Sequence, residues 1–222
     1  VEIPANADLT IYKKIYAATS VTQDGNFVVI KSNGLPDHKS PYYQGTQWSA
    51  TQYEAYNGTG SFVKNPNSIT SQNLTFRIPL NPTSAATKSA TPGGPIGISL
   101  NGVVFFNQYA AGGSPLTNEI IGFDQYGGHP QQQGQYHYHS EPFYLTATKG
   151  KAVLLGFLLD GFPVYGPMEN NVTVTNAQLD AYHGHTSVTP DYPNGIYHYH
   201  ITSTDPYING NGFYGTPGTV SN

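Results

Sequence analysis

Tyr136-His137-Tyr138-His139 and Tyr197-His198-Tyr199-His200 are two copies of one tetrapeptide. Successive side chains of a β-strand point to opposite faces, so each copy in a strand places both histidines on one face and both tyrosines on the other. Turn residues precede each copy, and tyrosine favours strands. The tetrapeptides therefore predict two strands that each carry a pair of imidazoles.

Strand patterns extend on both sides of the tetrapeptides. Residues 96–107 predict a hairpin, because Asn101-Gly102 supplies two residues that tolerate positive φ. Residues 152–159 have no polar side chain and predict a central strand covered on both faces. The remaining predicted strands span residues 9–18, 26–32, 74–80 and 143–148, and the one predicted helix spans residues 176–182.

The fold class follows from these patterns and from the length of the chain. At 222 residues the chain fits one large all-β domain, because β-sandwiches and barrels reach this size undivided. We predict a single domain over residues 1–222. Its predicted architecture is an antiparallel β-sandwich or distorted barrel, with long loops and at most one or two short helices.

Composition excludes several classes of function. The net charge is −4 with only nine lysines and arginines, which argues against a nucleic-acid partner. The chain has no cysteine, which excludes disulfides, thiolate zinc sites and cysteine-held iron–sulfur clusters. The longest apolar run, residues 152–159, is too short to span a bilayer.

Two features indicate an exported protein, secreted or held at the cell surface or envelope. The chain starts at Val1 instead of Met, as a processed mature protein does. Asn57, Asn73 and Asn171 begin Asn-X-Ser/Thr sequons and are candidate glycosylation sites.

The histidines point to a metal site, because imidazole is the commonest metal ligand. Two His-X-His strands side by side bring three or four nitrogens to one ion. No long internal duplication is evident, so the two tetrapeptides are predicted to form a single site. The predicted ligands are His137, His139, His198 and His200, with loop histidines His129, His183 and His185 as reserves.

The predicted ion is a transition metal. Imidazole with oxygen donors suits Zn(II), Cu(II) or Ni(II), and copper or zinc is favoured here. Metal-bound histidines give their second ring N–H to a carboxylate or carbonyl, and Asp124 and Asp160 are assigned that role. In the competing interpretation the Tyr-His alternation is only a half-buried strand, and Asp160 makes a structural hydrogen bond. His38, in a loop rich in turn residues, is expected to be solvated.

The sequence also resembles the YHYH domain family. The matching segments are residues 34–38, 100–103, 127–130, 136–139, 141–142, 159–167, 183–186 and 197–200. The resemblance covers roughly residues 34–215 and implies a secreted or envelope protein without a firmly assigned activity. Relatives carry cysteines near the histidine motifs, where this chain has Tyr126, Tyr144 and Tyr182. If those cysteines form disulfides, aromatic packing replaces the crosslinks here.

Two other functions remain open alongside simple metal binding. As an enzyme, a three-histidine ion with an open position would serve a metal-dependent hydrolase or a copper oxidase. As a structural protein, a charge-poor chain would form a cell-surface layer or filament whose subunits pair at strand edges, with a structural metal or none. An open coordination position facing a pocket would favour the enzyme. A closed one would favour the structural protein.

Overall fold

The computed structural model describes residues 6–222, and strands dominate it. The strands are β1 Ser20–Asp24, β2 Phe27–Ser32, β3 Leu74–Pro79, β4 Gly97–Ser99, β5 Val104–Phe105, β6 Gly128–Pro130, β7 Tyr136–Tyr138, β8 Leu154–Leu158, β9 Pro163–Tyr165, β10 Met168–Glu169, β11 Val172–Thr173, β12 Gly184–Thr189, β13 Tyr192–His200 and β14 Thr219–Ser221. The α-helices are α1 Ser49–Gln52 and α2 Phe143–Lys149. Single 3-10 turns are Tyr12–Lys14, Pro41–Tyr43, Ala111–Gly113, Leu116–Asn118, Ile120–Gly122 and Asn176–Gln178.

In the described part of the chain these strands form three sheets. A four-stranded sheet has the order β1-β2-β3-β14, and an eight-stranded sheet has the order β12-β13-β9-β8-β4-β5-β7-β6. The pair β10-β11 forms a small ribbon. No sheet within residues 6–222 closes into a barrel, so the predicted all-β, sandwich-like class is confirmed.

The two large sheets contribute to one apolar core. In β3 the side chains of Leu74, Phe76 and Ile78 are buried in alternation, as the sequence pattern predicts for a half-buried strand. Every residue of β8 is buried, which confirms the predicted central strand in residues 152–159. Side chains of both strands belong to the same cluster of buried hydrophobic residues.

The eight-stranded sheet consists of two halves built in the same way. The halves are β4-β5-β7-β6 and β8-β9-β13-β12, and in each the three successive pairings are antiparallel, parallel and antiparallel. The halves meet where Ile98 of β4 lies opposite Phe157 of β8. These two residues occupy equivalent positions of the halves, which places a pseudo-twofold axis between them. The expectation that the chain has no long internal duplication is therefore wrong.

Three short sequence motifs are repeated in matching positions of the two halves. The repeats are Leu100-Asn101-Gly102 with Leu159-Asp160-Gly161, Asp124-X-Tyr126-X-Gly128-His129 with Asp180-X-Tyr182-X-Gly184-His185, and the two Tyr-His-Tyr-His tetrapeptides. The separation between the two copies along the chain differs from motif to motif. Connecting loops of different length explain why no single period appears along the chain.

Three predicted elements differ from the structure. Residues 143–148 form α2 instead of a strand. The Thr146 hydroxyl donates to the Glu141 side chain, which ties the helix to the residues before it. Gly150, with a φ of 110°, ends the helix. Residues 9–18 contain only a 3-10 turn, which buries Tyr12 and Ile15 together.

The predicted helix over residues 176–182 is reduced to one 3-10 turn, Asn176–Gln178. The carboxylate of Asp180 accepts from the backbone N–H groups of Tyr182 and Gly184, and such local bonds compete with a helix. Among residues 6–222 no helix has the length and apolar character needed to cross a membrane.

Candidate metal centres

The histidines gather in two separate groups. The N-site contains His129, His137 and His139, and the C-site contains Glu169, His185, His198 and His200. Within each group the candidate ligand atoms lie within 4.8 Å of one another. The prediction that both tetrapeptides form one site is wrong, because β7 and β13 are separated in the sheet by β5, β4, β8 and β9.

Each group is built on a hairpin at one end of the large sheet. In β6-β7 His129 lies opposite His137, and in β12-β13 His185 lies opposite His198. The second histidine of each tetrapeptide follows two residues later on the same face. The reserve histidines His129 and His185 are thus third members of the groups, in equivalent positions of the repeat.

Backbone carbonyls orient the tetrapeptide rings. The Nδ1–carbonyl distances are 3.1 Å for His137 with Gln135, 2.5 Å for His139 with Asn107, 3.0 Å for His198 with Ile196 and 2.9 Å for His200 with Gly166. A carbonyl oxygen only accepts, so each Nδ1 carries the ring hydrogen. In a neutral ring the Nε2 atom then has a free lone pair.

These free lone pairs face each other. The Nε2 atoms of His137 and His139 are 3.0 Å apart, and those of His198 and His200 are 3.1 Å apart. With both Nδ1 atoms protonated, neither neutral pair has a hydrogen to place between its Nε2 atoms. Either a shared cation or an added proton is needed to offset the repulsion of the two lone pairs.

The third histidine of each group has a matching feature. The Nε2 atoms of His129 and His185 are buried and have no hydrogen-bond partner among residues 6–222. Buried polar atoms are normally paired, so these two nitrogens, which lie beside the paired tetrapeptide rings, are candidates to bind an ion together with them. The Nδ1 atom of His129 accepts from the side-chain amide of Asn65 at 3.3 Å, so in the neutral ring Nε2 carries the hydrogen and would lose it on binding a metal ion.

Burial keeps the three N-site rings and the two tetrapeptide rings of the C-site neutral. It lowers the pKa of His129 to about 3 and those of His139 and His200 to about 4. Burial and the neighbouring imidazoles also lower the pKa of His137 well below its ordinary value, and burial lowers that of His198. An added proton is therefore disfavoured at neutral pH, and the Nε2 lone pairs of the four tetrapeptide rings are available to a metal ion.

A glutamate lies near each histidine group, and the pKa values of the two glutamates are shifted in opposite directions. In the C-site the Glu169 carboxylate lies 3.4 Å from His185 Nε2 and 3.7 Å from His198 Nε2. Burial opposes its ionisation, but the Ser187 hydroxyl and the neighbouring histidines prevail and lower its pKa. In the N-site Glu119 Oε2 lies 3.8 Å from Nε2 of both His129 and His139, and burial raises the pKa of Glu119.

The carboxylates predicted to support the histidines instead bind the tyrosines on the other face. Asp124 accepts from the Tyr136 hydroxyl at 2.9 Å, and Asp160 accepts from the Tyr199 hydroxyl at 2.5 Å. The role assigned to Asp124 and Asp160 is therefore wrong, since carbonyl groups hold the four tetrapeptide rings. Asp180, which the sequence did not single out, bonds Tyr197 as Asp124 bonds Tyr136.

Two further histidines lie outside both groups. His183 is buried, and its Nε2 lies 3.0 Å from the Thr202 hydroxyl. His38 is only 3% exposed, so the expectation of a solvated loop side chain is wrong. Its Nδ1–H donates to the Lys39 carbonyl, and its Nε2 accepts from the Tyr138 hydroxyl at 3.0 Å. His38 is thus tied to the tyrosine face of the first tetrapeptide.

Asp160→Asn is expected to lower the free energy of unfolding by about 2–3 kcal/mol, because a buried polar group loses its partners. The Asp160 carboxylate accepts from Tyr199, Phe162 N–H and Gly215 N–H, and an amide NH2 would face donors. Urea denaturation at pH 8 tests this, above the pKa of about 6 to which burial raises this carboxyl. The control Asp8→Asn changes an exposed carboxylate and should cost less than about 1 kcal/mol. Equal effects of the two changes would contradict the assignment.

A family model described as YHYH protein matches residues 75–173 and 168–212, which include every residue of both histidine groups. Searches of curated proteins and of solved structures each found no match.

Proposed function

This chain belongs to the YHYH protein family, and we propose that it binds two transition metal ions, one at the N-site and one at the C-site. The family match confirms the resemblance found in the sequence. One observation carries the proposal: in each half of the sheet, two buried Nε2 atoms that lack a hydrogen face each other at 3.0 or 3.1 Å. A cation between them turns a repulsive contact into a favourable one.

The distances between the paired Nε2 atoms agree with the binding of both atoms to one ion. A nitrogen binds zinc at about 2.0–2.1 Å, so two nitrogens on one ion are at most roughly 4 Å apart. The donors are imidazole and carboxylate, without thiolate, and we propose zinc or copper as the ion. The carbonyls that hold the Nδ1 atoms fix the ring orientation, as outer partners do in metal sites.

The test is elemental analysis of native protein purified without a metal-affinity tag. We expect close to two ions per chain in the wild type. His137→Ala/His139→Ala and His198→Ala/His200→Ala are each expected to keep one ion, because the sites are at opposite ends of the sheet. The four-histidine variant is expected to keep none.

His183→Ala is the matched control, because His183 is a buried histidine outside both groups. It should keep two ions. A folded wild-type protein that holds no metal, and takes up none when zinc or copper is added, would overturn the proposal. Loss of both ions from a folded single-site variant would contradict two independent sites.

We also propose that the protein is secreted or held at the cell surface. Asn57, Asn73 and Asn171 are all exposed, as glycosylated asparagines must be. Glycopeptide mass spectrometry of native protein tests this, and unmodified asparagines at all three positions would remove this support. The surface layer or filament stays a prediction.

A further inference from the structure

We propose that the N-site, unlike the C-site, is open to an exogenous ligand, and that this ligand is an uncharged, hydroxyl-rich chain such as an oligosaccharide. The inference rests on the proposed metal binding. Structural metal sites are closed by protein donors, whereas reactive sites keep a position for an outside ligand. The two halves of the sheet provide one site of each kind.

The carboxylates show the first difference. Glu169 belongs to the C-site group, in which all four donors lie within 4.8 Å of one another. The Ser187 hydroxyl donates to Glu169 at 2.6 Å and holds it there. Glu119 lies 3.8 Å from Nε2 of His129 and of His139 but not within 4.8 Å of all three N-site nitrogens, and no side-chain donor among the described residues is seen to hold it there. The C-site thus groups four protein donors around one point, whereas the N-site groups three and has a less closely placed carboxylate.

The space in front of each site shows the second difference. A cleft of about 1060 Å³ is lined by all three N-site histidines. The pocket beside the C-site measures only about 240 Å³ and is lined by His198 and His200. Typical small-molecule sites occupy about 300–1000 Å³, so of these two spaces the N-site cleft is the one with room for a ligand of several rings.

The walls of the cleft indicate the chemical class of the ligand. Among the described residues that line it, Lys64 and Glu119 are the only lysine, arginine, aspartate or glutamate side chains, so apart from a bound metal ion the walls offer an acidic ligand a single cationic group. Amide side chains are abundant instead: Asn65, Asn67, Asn118, Gln131, Gln132 and Gln133.

An amide group both donates and accepts hydrogen bonds, which matches a hydroxyl group. Tyr109 lines the cleft and is 37% exposed, and its hydroxyl donates to the Asn211 side chain at 2.7 Å, which holds the ring in place. A fixed, exposed aromatic ring beside amides suits the mixed apolar and hydroxyl surface of a sugar.

The open position is tested with cobalt(II) and azide. Each single-site variant is loaded with Co(II), and its visible absorption is recorded during an azide titration. Azide should shift the spectrum when Co(II) occupies the N-site, in His198→Ala/His200→Ala, and should leave it unchanged in His137→Ala/His139→Ala. Equal responses of the two variants, or no response from either, would overturn the open-site inference. If neither variant binds Co(II), zinc or copper, the proposed function itself has failed.

The ligand class is tested by calorimetry with cellohexaose, chitohexaose and hexa-alanine. We expect one of the two sugars to bind the metal-loaded wild type. Its dissociation constant should rise at least tenfold in Tyr109→Ala, in Gln132→Ala and in His137→Ala/His139→Ala. The control Val188→Ala, at an exposed residue by the C-site, should bind as the wild type does. Binding of hexa-alanine alone, or of neither sugar, would overturn the assignment of the ligand class.

Discussion

Removing the metal ions with a chelator is expected to lower the melting temperature of the wild-type protein by about 15–30 °C. A ligand present at a thousandfold excess over its dissociation constant stabilises the folded state by about 4 kcal/mol, so two sites contribute about 8 kcal/mol. For a chain of this size, 1 kcal/mol corresponds to roughly 2–4 °C. Scanning calorimetry of the chelated and the metal-reloaded protein measures the difference.

The physical reason lies in the apo state. Without an ion, each site leaves two unprotonated Nε2 atoms about 3 Å apart in a buried environment that disfavours the relieving proton. Both sites lie on the end hairpins of the large sheet, β6-β7 and β12-β13, and within residues 6–222 each hairpin has a sheet neighbour on one side only. Loss of the ions therefore loosens the least supported parts of the sheet first.

The four-histidine variant, with alanine at His137, His139, His198 and His200, provides the control. Its melting temperature should be the same with and without chelator. Each two-histidine variant should show about half of the wild-type response. A wild-type protein that melts at one temperature in both conditions would show that the histidine groups do not bind metal under these conditions.

Local features of the fold could be predicted from the sequence. The alternation in the tetrapeptides correctly predicts strands with histidines on one face, because the two-residue period is a property of any strand. The predicted hairpin is confirmed as β4-β5, but its loop spans residues 100–102 and only Gly102 has a positive φ, of 79°. The apolar run in residues 152–159 is confirmed as the central strand β8.

The number of sites could not be predicted in this way. Whether two similar strands are neighbours depends on the order of strands in the sheet, which is set by long-range contacts. The repeated motif Asp-X-Tyr-X-Gly-His, at 124–129 and 180–185, was the available signal for a duplication. The two copies of each motif are separated by a different length of chain, which hides the duplication from a search for a constant period.

The role of the aspartates shows a similar limit. The residue type indicates that Asp124 and Asp160 accept hydrogen bonds, but not from which face of the sheet. In the fold both bind tyrosines, so the tyrosine face has its own polar network. The two halves differ there: the Tyr138 hydroxyl accepts from the Asn101 amide, whereas the Tyr199 hydroxyl donates to Asp160.

Gly156→Ala and Gly97→Ala are each expected to lower the free energy of unfolding by about 4 kcal/mol or more, in the range of the most damaging core substitutions. The two glycines occupy equivalent positions on the strands that meet at the pseudo-twofold axis. A Cβ at Gly156 would collide with the Ile98 carbonyl oxygen and lie 2.8 Å from Phe105 Cε2. A Cβ at Gly97 would collide with the Phe157 carbonyl oxygen in the same way.

The expected loss of stability is large because the atoms with which each new Cβ would collide are backbone carbonyl oxygens. A flexible side chain can rotate away, but these carbonyls belong to the paired strands β4 and β8, so relief requires the two halves of the sheet to separate. Urea denaturation of both variants tests this against Gly93→Ala, where a new Cβ meets no atom of the described residues within 4 Å and should cost less than about 0.5 kcal/mol. Similar losses for Gly97 and Gly156 would support the axis between them. A loss as small as that of the control at either position would mean that the halves do not meet as closely as Ile98 and Phe157 require.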